Sequence, residues 1–134
     1  MQLLLIVTLS LHVLSGVFWV GTTLALARTG GLGGERLFRP QMGAAVVAFL
    51  TGGYLWHLLH PGVFGTAEKV LATGAFTAVI AAGVQGALVG PTVRRLQRGA
   101  LDADNARARI ALGQRIAAVL LSITVLCMAA ARYA

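Results

Sequence analysis

Apolar residues fill four long stretches of this chain, and short polar or basic connections separate them. The stretches run over residues 3–27, 41–60, 70–91 and 110–132. Each is close to the 20 or so apolar residues that an α-helix needs to cross about 30 Å of hydrocarbon. Little sequence is left over for a water-soluble domain. The pattern therefore predicts a single all-α domain, an integral membrane four-helix bundle.

The first stretch is interpreted as a retained transmembrane helix and not as a secretory signal peptide. Only Met1 and Gln2 precede it, so the basic segment that opens a signal peptide is missing. The apolar run is also longer than that of a usual signal.

Polar and small residues share one face of this first helix. Thr8, His12, Ser15, Trp19 and Thr23 recur at helical spacing, whereas the opposite face is Leu, Val and Ile. We expect this face to point into the bundle or into a dimer seam. An ionisable residue within a membrane span is costly and is usually retained for a function with a nearby partner. This cost makes His12 the first candidate functional residue.

The composition agrees with a membrane protein, because only 11% of the 134 residues are charged and 57% are hydrophobic. Soluble domains usually carry about 25% charged residues. The net charge of +7 comes from arginines in two connections, residues 28–40 and 92–115. Short basic connections stay in the cytoplasm, so both termini are predicted to face outward (N-out/C-out) from a bacterial inner membrane. The arginines are interpreted as topology signals and contacts for membrane lipids, with no nucleic-acid partner.

Small residues also recur along one side of the third stretch, at Gly74, Ala78, Ala82, Gly86 and Gly90. Such a seam lets helix backbones approach closely in lipid, where the hydrophobic effect does not drive association. Alternatively, part of this seam of small residues leaves space for a flat ligand. Gly90-Pro91 is expected to close or kink this helix. His60-Pro61-Gly62 is expected to end the second one.

Under the predicted topology, the remaining ligand-type side chains lie in the outer half of the bundle. They are His57 and His60 in the second stretch, Lys69 before the third, and Met128 and Arg132 in the fourth. Helical bundles build cofactor sites from facing helices, and imidazole is a standard axial ligand of haem iron. We therefore predict a b-type haem site, with His12 as an iron ligand.

The other candidates complete this predicted site. His57 or Met128 is the candidate second ligand, which makes His12 and His57 the predicted metal-binding pair. Lys69 or Arg132 is the candidate contact for a haem propionate. A helix that ends near His60 places His57 roughly 9 Å shallower than His12. The iron is therefore alternatively five-coordinate through His12, or held between symmetry-related copies.

Other chemistry remains open at the same residues. Copper(I) accepts thioether, thiol and imidazole ligands, and His12 alternatively makes only a hydrogen bond to a neighbouring helix. Covalent c-type haem attachment is excluded, because the sequence has no Cys-x-x-Cys-His motif. A hydrolase is not expected, because the four acidic residues all lie in predicted connections. Whether the protein is an enzyme is left open.

Several short motifs resemble a group of small four-helix membrane proteins. The group includes the HemJ-type protoporphyrinogen oxidases, the membrane domain of CopD-like copper-resistance proteins, and short relatives of uncharacterised function. The matching segments are LHVLSGVFWVG at 11–21, RLFR at 36–39, GTAEK at 65–69, GP at 90–91 and MAAARY at 128–133.

The resemblance implies a haem- or porphyrin-associated protein, with His12 and Lys69 at the histidine and lysine of the group. Gly113-Gln114-Arg115 replaces the more polar start of helix four that HemJ proteins show. The likeness is therefore closer to the uncharacterised and CopD-like relatives. We expect a haem b protein with an electron-transfer or redox accessory role, acting as a homodimer or within a larger complex. The alternatives are a HemJ-like oxidase, a copper-handling protein and a structural subunit without cofactor.

Overall fold

A computed structural model describes residues 1–62 and 64–134, and every regular element in these residues is helical. The helices are α1 (Gln2–Arg28), α2 (Gly34–Leu59), α3 (Thr66–Val84), α4 (Gly90–Gln97) and α5 (Ala103–Ala131). A π-helical segment, Gln85–Val89, joins α3 to α4 without a break. Four helical spans are thus long and apolar enough to cross a membrane. This confirms the all-α prediction and indicates a multi-pass membrane protein.

The helices extend further than the apolar stretches from which they were predicted. α2 begins at Gly34 and continues through Pro40, although the residue before a proline disfavours helical geometry. The third span continues past Pro91 to Gln97. Packing explains both extensions, because Phe38 and Val93 meet Ile110 of α5 in a small apolar cluster. Tertiary contacts therefore hold these turns helical beyond the residues that hydropathy identifies.

The ends of α2 and α5 follow local sequence signals. α2 ends at Leu59, and Gly62 adopts φ +72° in the turn that follows, as the His60-Pro61-Gly62 motif predicts. Asp102 caps α5 by accepting a hydrogen bond from the backbone N–H of Asn105 at 3.3 Å. The side-chain amide of Asn105, together with this backbone N–H, lowers the pKa of Asp102. The carboxylate is thus held in its ionised form at the start of the helix.

The four spans pack around small residues. α1 lies against α2 and α5, and α3 packs along α5. The central apolar cluster takes residues from all four spans: Trp19, Ala45, Ala48, Ala78, Ala81, Ala117 and Leu121. Because five of these seven residues are alanines, the helix backbones approach closely, which supplies van der Waals contact in lipid. The polar face of α1 points into this bundle, as predicted, since Thr8, Ser15, Trp19 and Thr23 are all buried.

The predicted seam of small residues divides into two parts. A Cβ at Gly74 would lie 2.9 Å from the Cβ of Cys127 on α5, so glycine allows this close packing. Gly86 faces open space, and Gly90 instead packs against the ring of Phe38 on α2. The π-helical segment explains the change, because its i→i+5 hydrogen bonds shift the register of the face that follows.

Candidate functional site

The side chain of His12 on α1 is half-buried and packs against α2. Its Nδ1 is 3.0 Å from the carbonyl oxygen of Ala48 and 3.1 Å from the hydroxyl oxygen of Thr51. Gly52 provides the space for the ring, because a Cβ there would lie 2.9 Å from His12 Cε1. We call this arrangement of His12, Ala48, Thr51 and Gly52 the His12 niche.

The partners of His12 determine which ring nitrogen carries the proton. A carbonyl oxygen only accepts hydrogen bonds, so Nδ1 is the protonated nitrogen that donates to Ala48. The Thr51 hydroxyl donates its own hydrogen to the carbonyl of Val47 at 2.6 Å and can accept from the same N–H. In the neutral imidazole, Nε2 therefore keeps its lone pair. Metal-binding histidines commonly donate their other N–H to a backbone carbonyl in this way.

The other four predicted site residues lie on the surface of the described chain. His57, Lys69, Met128 and Arg132 are all exposed. The guanidinium of Arg132 lies 6.0 Å from the centre of the adjacent Tyr133 ring. Among residues 1–62 and 64–134, no hydrogen bond or ion pair joins any of the four to His12. The single chain therefore builds a defined environment around His12 alone.

His60 belongs to the connection between α2 and α3. Its Nδ1 lies 2.6 Å from a carboxylate oxygen of Glu68. The other carboxylate oxygen accepts the backbone N–H of Gly65 at 2.9 Å. The ring of Trp56 packs beside His60, with 5.5 Å between the ring centres. These contacts tie the end of α2 to the first turn of α3, which gives His60 a structural role in this connection.

A second group of polar side chains crosses the interior of the bundle and connects all four spans. Trp19 and Thr23 come from α1, Gln41 from α2, Gln114 from α5, and Gln85 from the first position of the π-helical segment. All five are buried, and we call them the polar cluster.

Hydrogen bonds join the members of the polar cluster directly. Gln85 accepts the indole N–H of Trp19 at 2.8 Å, and its amide N–H donates to Gln114 Oε1 at 3.0 Å. Gln114 donates in turn to Gln41 Oε1 at 3.0 Å. The hydroxyl oxygen of Thr23 accepts from both Gln41 and Gln85 at 2.9 Å. Within the described residues, every buried side-chain nitrogen and oxygen has a hydrogen-bond partner.

The chemistry of the polar cluster is that of neutral amides, a hydroxyl and an indole. None of these groups titrates near neutral pH or is a preferred ligand for a transition metal. Their hydrogen bonds are directional, and inside lipid the cost of leaving such groups unpaired favours the paired arrangement. The cluster therefore fixes how the four spans are rotated and aligned relative to each other. Its observed role is therefore structural.

Sequence reasoning found only part of the polar cluster. Trp19 and Thr23 were predicted to lie on the buried face of α1, whereas Gln85 in the third stretch was given no role. Gln41 is the first residue of the second stretch, and Gln114 lies near the start of the fourth, next to Arg115. The available signal was one glutamine within or at the edge of three different spans, since amide side chains hydrogen-bond across helices in membranes.

Among the residues that the structure describes, no group of three or more histidine, cysteine, aspartate or glutamate side chains is placed to hold a bare metal ion.

No known protein family matches the chain, and no match was found among curated proteins or among solved structures. The resemblance to the HemJ and CopD-like group thus stays a prediction from short motifs.

Proposed function

We propose that this chain is a haem b-binding protein of a bacterial inner membrane, with both termini outside and an electron-transfer or redox accessory role. The observation that carries the proposal is the hydrogen bond from His12 Nδ1 to the Ala48 carbonyl. It leaves Nε2 as the nitrogen available to an iron, and the glycine at position 52 makes room for the imidazole ring against α2.

His12 and Ala48 each have a defined part in this proposal. His12 would hold the iron through Nε2, and Ala48 would fix the tautomer and the direction of the ring. A carbonyl that accepts Nδ1–H also raises the basicity of the imidazole as a ligand. Bound haem supplies one-electron redox chemistry at the iron, and its potential depends on the axial ligands and the surrounding dielectric.

In this proposal, the remaining ligands come from a second chain or a partner. His57 or Met128 would supply the second ligand, and Lys69 or Arg132 a propionate contact. All four are exposed on the single chain, where a neighbouring molecule can reach them. A homodimer or a larger membrane complex is therefore part of the proposal.

A structural subunit without cofactor is the second candidate, and the same hydrogen bond favours it. His12 links α1 to α2 through Ala48 and Thr51, which is sufficient to explain a histidine inside a span.

Two substitutions at one position distinguish these functions. His12→Asn retains a side-chain N–H for the Ala48 carbonyl but has no nitrogen equivalent to Nε2. His12→Ala removes both groups. The experiment is an absorption spectrum of detergent-purified protein, oxidised and reduced, with a helix-unfolding measurement on the same samples.

Haem binding predicts a Soret band that sharpens on reduction in the wild type and is lost in both variants, although His12→Asn keeps its folded stability. A structural role predicts colourless protein throughout, with stability lost in His12→Ala and retained in His12→Asn. A colourless wild-type preparation from haem-replete cells would overturn the haem proposal.

A further inference from the structure

A groove at the arginine-rich end of the bundle lies between the first turns of α2 and the π-helical segment with α4. It has a volume of about 310 Å³. Its apolar floor includes Phe38, Gly86, Gly90 and Val93, and arginines from two helices stand beside it. We propose that this groove is a binding site for one anionic phospholipid, and we call it the lipid groove.

The shape of the lipid groove comes from its glycines. Gly86 faces open space, because a Cβ there would meet nothing within 4 Å. Gly90 lies against the Phe38 ring, which closes the floor on the α2 side. Gly86 and Arg94 are eight positions apart, so the groove runs roughly 12 Å from the helix end into the apolar part of the span. That depth suits the first part of an acyl chain.

The charges beside the lipid groove favour an anionic headgroup. Arg36, Arg39 and Arg94 line it, and Glu35 is the one carboxylate among the lining residues. All three arginines are exposed. None forms an ion pair within the part of the chain that the structure describes, where the His60–Glu68 contact is the one found. Guanidinium groups match phosphate oxygens in geometry and charge, so these three groups suit a lipid phosphate.

The place of the arginines relative to the membrane supports a lipid as the source of that phosphate. Arg36 and Arg39 lie in the first two turns of α2, and Arg94 lies in the last turn of α4. Helix ends of this kind reach the headgroup layer of the bilayer. Basic pockets between transmembrane helices bind anionic headgroups in general. A free phosphate would use the arginines but would leave the apolar floor uncovered.

The test measures binding of phosphatidylglycerol and of phosphatidylcholine to the full chain in detergent, by native mass spectrometry. One arginine near an anionic headgroup contributes roughly five-fold in affinity. We therefore expect phosphatidylglycerol to bind at least ten-fold more tightly than phosphatidylcholine. The triple variant Arg36→Gln, Arg39→Gln, Arg94→Gln should lower phosphatidylglycerol affinity by about 100-fold. The matched control changes three arginines that do not line the groove: Arg28→Gln, Arg98→Gln and Arg107→Gln.

A second variant tests the apolar floor without any change of charge. Gly86→Leu fills the acyl position and should weaken both lipids, whereas Gly83→Leu should not. Gly83 is the matched control, because it lies on the same helix and a Cβ there also meets nothing within 4 Å. Circular dichroism and tryptophan fluorescence confirm that each variant is folded.

Three results would overturn the proposal. Equal loss of phosphatidylglycerol binding in the two arginine triples would show a general charge effect. Unchanged binding in Gly86→Leu would show that no acyl chain lies in the groove. Competition by millimolar inorganic phosphate, as strong as that by the lipid, would identify a free phosphate as the ligand.

Discussion

Replacing Gln114 by leucine tests whether the polar cluster holds the bundle together. Leucine has nearly the volume of glutamine, so the change removes hydrogen bonds without opening a large cavity. Gln114 makes three interhelical hydrogen bonds, at 3.3 and 3.0 Å through Oε1 and at 3.0 Å through Nε2. After the substitution, Gln85 keeps Trp19 and Thr23 as partners. The side-chain oxygen of Gln41 loses its partner inside the bundle.

The size of the effect follows from the number of hydrogen bonds lost. Interhelical hydrogen bonds in membrane proteins contribute about 0.6 kcal/mol on average and at most about 1.7 kcal/mol. Three such bonds therefore give an expected loss of about 2 kcal/mol in the free energy of unfolding, with a ceiling near 5 kcal/mol. We expect the loss in the free energy of unfolding to exceed this average, because the Gln41 oxygen becomes a buried acceptor without a donor, which is costly.

The cluster supplies its own reporter for this measurement. The chain has two tryptophans, and Trp19 donates its indole N–H to Gln85. In a Trp56→Phe background, Trp19 is the single tryptophan. Its fluorescence is followed during unfolding by sodium dodecyl sulfate in mixed micelles, with circular dichroism as the second probe. Gln2→Leu is the matched control, because it makes the same chemical change at an exposed position.

We expect Gln114→Leu to lower the unfolding midpoint and to shift the Trp19 emission of the folded state, while Gln2→Leu leaves the free energy of unfolding within about 0.5 kcal/mol. Equal stability of the two variants would refute the assignment of Gln114 to a stabilising cluster. An unchanged Trp19 spectrum would further show that the indole does not sense the cluster.

Three further substitutions test other parts of the structure. Gly74→Leu should destabilise the folded bundle by more than about 2 kcal/mol through overpacking against α5, whereas Gly83→Leu should be neutral in the same micelle assay; equal effects would contradict the α3–α5 contact. Thr51→Val should lower the free energy of unfolding by about 0.6 kcal/mol, because the Ala48 carbonyl still accepts the imidazole N–H of His12. A loss of stability as large as that of His12→Ala would contradict this geometry. The lowered pKa of Asp102 means that its cap is present above the pKa of the unfolded chain and is lost as pH falls through the folded value. The protection factor of the Asn105 amide, which is the exchange rate corrected for its intrinsic pH dependence, should therefore fall at acid pH in the wild type and be low at all pH in Asp102→Ala. Identical protection in both at neutral pH would contradict the cap.

The amino-acid sequence predicts the four long apolar helices well, because hydropathy measures what the lipid would require of each segment. It also predicts which face of α1 is buried, since polar residues at helical spacing have to leave the lipid. The full lengths of the helices are harder to predict from the sequence. Phe38 and Val93 hold their turns helical through contacts with α5, and such long-range packing leaves no local pattern.

The candidate site was likewise predictable from the sequence only in part. His12 was identifiable by the cost of an imidazole in hydrocarbon, but its Ala48 partner is a backbone carbonyl, and a carbonyl has no sequence signature. The polar cluster depends on three glutamines that are distant in sequence and meet only after folding. The π-helical segment could not be predicted from the sequence for a similar reason. It begins at Gln85, whose amide is held by groups from α1 and α5.

The polar cluster and the His12 niche are linked through the rotation of α1. His12 and Trp19 are seven residues apart, which places them two turns apart on one face of the helix. A rotation of α1 by one residue position would turn this face by about 100°. Such a rotation would break the Trp19–Gln85 bond and carry the His12 ring away from Ala48. In lipid, no hydrophobic force opposes this rotation of α1. Directional hydrogen bonds between the helices therefore have to prevent it. Gln85 and its neighbours therefore help to set the rotation of α1, and their substitution should alter the orientation of the His12 ring from about 10 Å away.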